Sequence, residues 1–517
     1  MNNLYELEVN EIREKAGFEM KTKDRVFSLF VALLIIPFVV LTLWGGFNIG
    51  YTLSFITCTV MFSIYLLNKN VKFRLFPWLC VLVALTASAV YTVSSDTAVR
   101  FFLFFPLMGL VFIWLVYLGG YDISDDYSLV SAVFIGIFGS AFGSISKSLK
   151  GVFSFNVKKG KGIGKAMLGL ACSVPAVLLV VTLLRNSDAA FDGLLSKIGD
   201  CFGNIGAVIF KSNVGLLFFP FIVSLGLGLA KNKRDQKKWC IKGGIDKTFV
   251  ISFMSAIVLV YVVYILSQLA YFFSAFRGIL PAGEDITFAS YARRGFFEMT
   301  IIAAINFVLI SLAALLVKKN ENGKRNGFLN SIIVFIGIFT LLLIATALSK
   351  MFLYIENKGM TRLRILTSVF MVFLAILFIA VILRAFIRKI PVIKTGLVAA
   401  VIILTVVGFA DVDRVVAQYN LFAYEKQYTE SLDIRAIGDL GEGGIETLYY
   451  VFDNQNYEYE LRFLARDELI NACEEMYEIN YVNDEIVYER KREIGDFNFS
   501  KHKAYEILDK FIAETKF

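Results

Sequence analysis

Histidine is nearly absent from this 517-residue chain, in which His502 is the only one. That scarcity excludes histidine-based nucleophile triads and H-E-x-x-H zinc chemistry, both of which need an imidazole beside other reactive groups. Charge is scarce as well: Asp, Glu, Lys and Arg make up 19% of the chain, below the roughly 25% of soluble domains. Seven prolines and 38 glycines are too few for a low-complexity or collagen-like chain. The six cysteines (Cys58, Cys80, Cys172, Cys201, Cys240 and Cys473) form no C-x-x-C pair, and those inside apolar runs behave as small hydrophobes. There is no G-x-S-x-G elbow. The stretch Lys158–Lys165 (KKGKGIGK) lacks the P-loop spacing and is followed by Ala166 where a magnesium-binding hydroxyl would stand. It reads as a solvated basic loop at an anionic membrane surface, as does Lys231–Lys238. No aromatic interleaving supports nucleic-acid binding, and no EF-hand spacing supports calcium. No cofactor and no metal is expected, and enzymatic activity is disfavoured.

What is present is apolar surface. Hydrophobic residues make up 57% of the chain, fifty of them phenylalanine, and the mean hydropathy is +0.66. A spanning helix needs about 20 mostly apolar residues. Runs of that kind lie near 26–46, 48–67, 75–94, 101–119, 166–184, 213–231, 248–272, 296–317, 329–350, 364–385 and 392–410. The fold class expected is therefore all-α, a polytopic transmembrane bundle of about 11 spans, with a cytoplasmic N-terminal segment 1–25, a membrane domain 26–410 and an acidic helical C-terminal domain 411–517. The charged residues ahead of the first run speak against a cleavable signal peptide and for an anchor that is retained.

The net charge of +8 hides an asymmetry: residues 1–410 hold 40 Lys and Arg against 20 Asp and Glu, residues 411–517 hold 12 against 24. Within the membrane part the alternate connecting segments that include the N-terminus carry 29 Lys and Arg, the others 11. By the positive-inside rule the N-terminus is cytoplasmic and the acidic C-terminal domain extracytoplasmic. On that topology Cys201 and Cys473 share a side, which leaves a disulfide between them open. Residues 128–146 are apolar enough to span, but a twelfth span would place Lys147–Lys165 outside. The small residues Ala132, Gly136, Ser140 and Ser144 recur at every fourth position, a spacing that lets helices approach closely. This segment is expected to be interfacial or re-entrant.

Polar groups that break the pattern are the candidates for function. Arg293 and Arg294 precede one span, Lys350 ends the next, and Thr361, Arg362 and Arg364 open the one after. Glu298 lies four residues beyond Arg294 and Asn306 eight beyond Glu298, on one helical face. Structural pairing competes here with docking of the acidic domain and with binding of a small anionic solute or lipid headgroup, to which guanidinium forks are suited. Pro37, Pro106, Pro175 and Pro220 fall within spans and suggest kinks, as in transporter sites but also as in ordinary membrane helices. Asp188 and Glu298 are the carboxylates open to an enzymatic role.

Gln268–Pro281 (QLAYFFSAFRGILP), Tyr291–Asn306 (YARRGFFEMTIIAAIN) and Lys350–Met371 (KMFLYIENKGMTRLRILTSVFM) resemble the bacterial membrane family catalogued as domain of unknown function 4173, related to the 4153 group. Arg185–Phe191 (RNSDAAF) and Asp411–Asn420 (DVDRVVAQYN) resemble further blocks of that family. Met360 departs from its G-L-T-x-x-R pattern, and Lys358 stands where a tyrosine often precedes that glycine. The resemblance implies a multi-pass protein of a bacterial cell membrane with no assigned activity. Beyond it, the C-terminal domain reads as amphipathic helices at about 411–426, 443–453, 458–479 and 500–515. Ser500 is the expected cap of the last, and Tyr505, Ile507, Leu508, Phe511 and Ile512 its apolar face. The leading functional expectation is transport or binding of a small anionic or lipid-like solute. The others are a membrane sensor or scaffold whose C-terminal domain binds an extracytoplasmic partner, and a membrane-embedded enzyme acting on envelope substrates.

Overall fold

The computed structural model describes residues 21–143, 204–231, 246–277, 296–316 and 327–515, apart from short stretches at 40, 43–46, 68–72, 388, 483–484 and 492–496. Within these lie α1 (Thr22–Val39), α2 (Ile49–Leu66), α3 (Leu75–Val93), α4 (Thr97–Leu118), α5 (Asp126–Gly143), α6 (Asn204–Lys231), α7 (Lys247–Arg277), α8 (Phe296–Leu316), α9 (Gly327–Lys358), α10 (Arg362–Phe386) and α11 (Val392–Ala410). Eight of the described helices are long and apolar enough to cross a membrane, by length and composition. The expected spans coincide with these helices, except 166–184, which lies outside the described residues together with Pro175, Asp188, Cys201, Arg293 and Arg294. Pro37, Pro106 and Pro220 sit inside α1, α4 and α6 without ending them.

The bundle has two polar ends, because successive helices alternate in direction. At one end Arg74 pairs with Asp122, Arg384 with Asp126, and the buried Lys394 donates to the carbonyls of Ile123 and Ser124 while lying 5.0 Å from the Phe76 ring centre. Lys394 is buried: its four-carbon stem packs in the bundle and its ammonium satisfies carbonyls left open by the turn after α4. The other end gathers Phe47–Asn48, Ser94–Thr97, Lys358–Arg362 and the chain after Asp411.

Close approach of helices depends on small residues, since lipid gives no hydrophobic drive to association. Gly408 of α11 lies against Val90 of α3, and Gly228 of α6 against Ser140 of α5, with no room for a Cβ at either place. The α5–α6 contact is tied by a hydrogen bond from Ser224 Oγ to the Ser140 carbonyl, 3.0 Å. Tyr261, Asn306 and Thr340 link α7, α8 and α9 within the bundle. Tyr261 donates to Asn306 Oδ1 at 2.6 Å, and Asn306 Nδ2 donates to Thr340 Oγ1 at 2.9 Å.

The C-terminal domain comprises α12 (Val412–Glu425), α13 (Ile434–Gly438), α14 (Ile445–Asp453), α15 (Tyr459–Met476), an antiparallel hairpin of β1 (Tyr477–Val482) and β2 (Glu485–Arg490), and α16 (Phe499–Thr515). Its core buries Ile434, Leu448, Leu469, Cys473, Leu508 and Phe511. The apolar face expected of α16 is the one that is buried. The helix expected to run to 479 ends at Met476, and the hairpin corrects that reading. Its strands alternate (Y-E-I-N-Y-V, E-I-V-Y-E-R) on either side of Asn483–Asp484, a hairpin signal hidden by the helical pattern running into it. Cys473 is a buried free thiol whose pKa burial pushes up to about 12, so it has no reactive thiolate.

Asn498, not Ser500, caps α16. Its Oδ1 accepts from the amides of Ser500 and Lys501, while its Nδ2 donates to the carbonyls of Tyr91 and Ser94 at 3.2 and 2.8 Å. One buried carboxamide thus satisfies orphan donors at the start of α16 and orphan acceptors at the end of α3. Asn498→Ala is expected to lower the stability of the C-terminal domain by about 2 kcal/mol, from a lost cap and two unpaired carbonyls, as read by denaturant unfolding of the domain within the full chain.

Candidate functional site

The densest polar cluster among the described residues lies where the C-terminal domain meets the bundle. The turn between α3 and α4 begins it. Asp96 caps α4, its Oδ1 accepting from the amides of Ala98 and Val99 at 2.8 and 3.0 Å. The residue is fully buried, and its Oδ2 lies 3.9 Å from Arg362 Nε. Four residues on, buried Arg100 fans over the turn. It donates to the carbonyls of Phe47 (2.9 Å) and Ser95 (2.8 Å) and to Asn48 Oδ1 (2.7 Å). An arginine one turn into an apolar helix is tolerated because carbonyl oxygens take its donors.

From the other side, Asp411 ends α11 in the left-handed region at φ 53°, which Asp tolerates better than most residues because its short side chain bonds locally. Its Oδ1 accepts from Ser95 Oγ at 2.5 Å and its Oδ2 from Ser500 Oγ at 2.9 Å. Two residues later Asp413 pairs with Arg362 Nε at 2.5 Å and faces Ser95 Oγ at 3.4 Å. Three carboxylates (Asp96, Asp411, Asp413) therefore converge on Ser95 and Arg362, joining α3, α4, α10, α11, α12 and α16. Among the described residues no three side chains of His, Cys, Asp and Glu are arranged to hold a metal ion.

Several residues singled out in the sequence belong here. Thr361 caps α10, its Oγ1 accepting from the Arg364 amide at 3.4 Å. Arg362 carries the ion pairs. Arg364 instead turns back, donating to the carbonyls of Lys358 and Gly359 and lying 3.9 Å from the Tyr354 ring centre. Gly359, at φ 73°, ends α9, and Asn420 Oδ1 stands 2.9 Å from where a Cβ would lie. Asn420 bonds both backbone groups of Met360, accepting from N at 2.7 Å and donating to O at 2.8 Å. The blocks Lys350–Met371 and Asp411–Asn420 are thus the two halves of one contact. Lys350 is half-buried within α9, and Glu298 lies in the first turn of α8. Asn306 is not grouped with the cations but sits in the α7–α8–α9 network. A crevice of about 100 Å³ between α1 and α2, lined by Val31, Pro37, Leu53 and Cys58, has none of the cations in its wall.

The sequence reading missed Ser95, Asp96, Arg100 and Asn498. Asp96 carried a usable signal, since S-S-D-T between two apolar runs is a helix start. The others had none, because Ser95 and Asp411 are 316 positions apart.

Fold and junction together define a polytopic helical membrane protein whose last apolar helix is locked to a folded C-terminal domain. A family model described as Domain of unknown function (DUF4153) matches residues 53–449, and the chain belongs to that family. The family shown is thus the 4153 group, and the match contains Ser95, Asp96, Arg100, Arg362, Asp411 and Asp413 but not Phe47, Asn48, Asn498 or Ser500. No curated protein and no solved structure matches the chain.

Burial raises the Asp413 carboxyl to about 6, against the pull of the Arg362 guanidinium and with help from Asp96 and Asp411. A folded-state value above the unfolded one means that the folded protein binds the proton more tightly. The stabilisation is present in full below the unfolded value and is lost as pH rises through about 6. Relative to Asp413→Asn, the native chain is expected to lose stability as pH rises, by at most about 1.4 kcal/mol per pH unit. Chemical denaturation of both proteins in the same detergent at pH 4, 5, 6 and 7 measures it.

Proposed function

We propose that the protein is a membrane sensor whose C-terminal domain receives a partner and passes its state to the bundle through the Asp96–Arg362–Asp413 junction. The observation that supports this most is the junction itself. One ion-paired cluster, its carboxylates buried and Arg362 partly exposed, ties the domain to the ends of α3, α4, α10 and α11, so movement of the domain must disturb four membrane helices at once. A domain merely tethered to the last span would need none of these bonds. The domain also exposes Tyr428, Tyr450, Tyr459 and Phe463, side chains of the type that protein interfaces favour. Transport of an anionic solute is the weaker reading, because Arg362, Arg364 and Asn306 are engaged by protein groups. The charge bias of the loops supports an N-terminus in the cytoplasm of a bacterial cell and a C-terminal domain outside it.

Asp413→Leu leaves Arg362 with Asp96 alone. Hydrogen exchange on the full chain in nanodiscs is expected to quicken at 94–100 and 359–362 as well as in α12, while α7 is unchanged. Exchange that quickens in α12 alone overturns the coupling. Flux of small organic anions or phosphate into proteoliposomes, abolished by Arg364→Ala or Glu298→Gln, decides for transport instead.

A further inference from the structure

Helix α5 is long and apolar enough to cross a membrane, yet its contacts keep to one end of the bundle. Asp126, at its start, bonds Arg384 at the end of α10. Gly136 meets Val116 and Tyr121, at the close of α4. Ser140 meets Ser224 and Gly228 of α6, whose neighbour Gly226 lies on Phe27 near the start of α1. The 14 residues from Asp126 to Ser140 climb about 21 Å along a helix axis. A helix running along the bundle would by then have covered about two thirds of the roughly 30 Å to the far end, where Ser95 and Arg362 lie. Instead α5 is level with the polar end that holds Arg74, Arg384 and Lys394 throughout.

The helix has two unlike faces. Leu129, Ala132, Gly136, Ile137 and Ser140 are buried against the bundle. Phe134, Phe138 and Phe142 stand out at 58%, 47% and 62% exposure. Residues 134–138 form a π-turn, which widens the helix so that positions four apart stay in line. The stripe does not stop at α5: Phe142 meets Phe221 edge-on at 5.5 Å, on the outward side of α6 beside exposed Phe218. Around this end Lys21, Lys23, Arg25 and Lys389 are exposed, while its acids are engaged. Asp24 accepts from Tyr65, Asp126 from Arg384, and Asp122 from Arg74 and Ser124.

We propose that α5 lies in the plane of the membrane at this end, with its phenylalanines among the acyl chains of one leaflet, and that the surrounding cations gather anionic phospholipid headgroups. The aromatic stripe continuous with a spanning helix points to lipid as the occupant. The exposed cations among the described residues at this end point to the phosphate of anionic lipids. The inference rests on the contacts of α5 and not on the sensor reading, which can fail without affecting it.

Two measurements on the full chain test it. Single cysteines are introduced as Ser148→Cys, Asn70→Cys and Glu430→Cys, and labelled in oriented proteoliposomes with an impermeant maleimide, with the unsubstituted chain as background. Ser148→Cys is expected to label with Asn70→Cys; labelling with Glu430→Cys means that α5 crosses and overturns its in-plane placement. Protein extracted from equimolar phosphatidylglycerol and phosphatidylcholine vesicles is then assayed for retained lipid. Enrichment of phosphatidylglycerol is expected, falling by roughly fivefold for each of Lys23→Gln, Arg25→Gln and Lys389→Gln. These are exposed positions, so helical circular dichroism should be unchanged. Equal retention of the two lipids by the native chain overturns the headgroup part.

Discussion

The interaction on which the rest of the structure depends is the pairing of Arg362 with Asp413 under the fully buried Asp96. Taking ions out of water is expensive, and a buried pair repays that cost only when its geometry is close and neighbouring groups satisfy the remaining lone pairs. Here backbone amides satisfy one oxygen of Asp96, Ser95 Oγ faces Asp413, and the hydroxyls of Ser95 and Ser500 hold the neighbouring Asp411. These groups come from the α3–α4 turn, α10, the end of α11 and the C-terminal domain, so the cluster exists only when all of these are in place. A fold specified this way gains less in raw stability than in uniqueness, since slipping any one helix by a turn would strand a buried charge.

The same principle of local satisfaction recurs at the opposite end. Lys394 is held by two carbonyls and Asp126 by Arg384, and in the bundle Asn306 is held between Tyr261 and Thr340. None of these is an open charge. Polar residues at membrane depth carry a presumption of function, but here the described ones close off helix ends or bridge helices. What distinguishes the domain junction is that it links a folded aqueous body to the membrane helices, and does so with a carboxyl, that of Asp413, whose protonation lies within a unit or so of neutrality.

Membership of a family whose name assigns no activity turns attention to shared architecture. The matched region ends within α14, so it takes in the bundle from α2 onward and the α9–α10 turn that Asn420 clasps, but leaves out Asn498 and α16. The clasp and the ion pair therefore lie in the part of the chain that the family defines. The final helix and its carboxamide plug lie beyond it.

The sequence by itself determined the class of fold, since only helices satisfy their own backbone in lipid and runs of about 20 apolar residues allow little else. It also marked helix ends and the apolar face of α16, because these are local patterns of three- or four-residue period, while the blocks Lys350–Met371 and Asp411–Asn420 stood out only by their resemblance to a family. It ran α15 into the hairpin, as a local pattern does not record which strand pairs with which. Only tertiary structure decided that Arg362 faces Asp413 and Asp96 while Arg364 turns away, that Asn498 joins two helices some 400 residues apart, and that the contacts of α5 keep to one end of the bundle. Those outcomes depend on contacts between segments far apart in the chain, and side-chain direction at such contacts is fixed by packing and not by spacing.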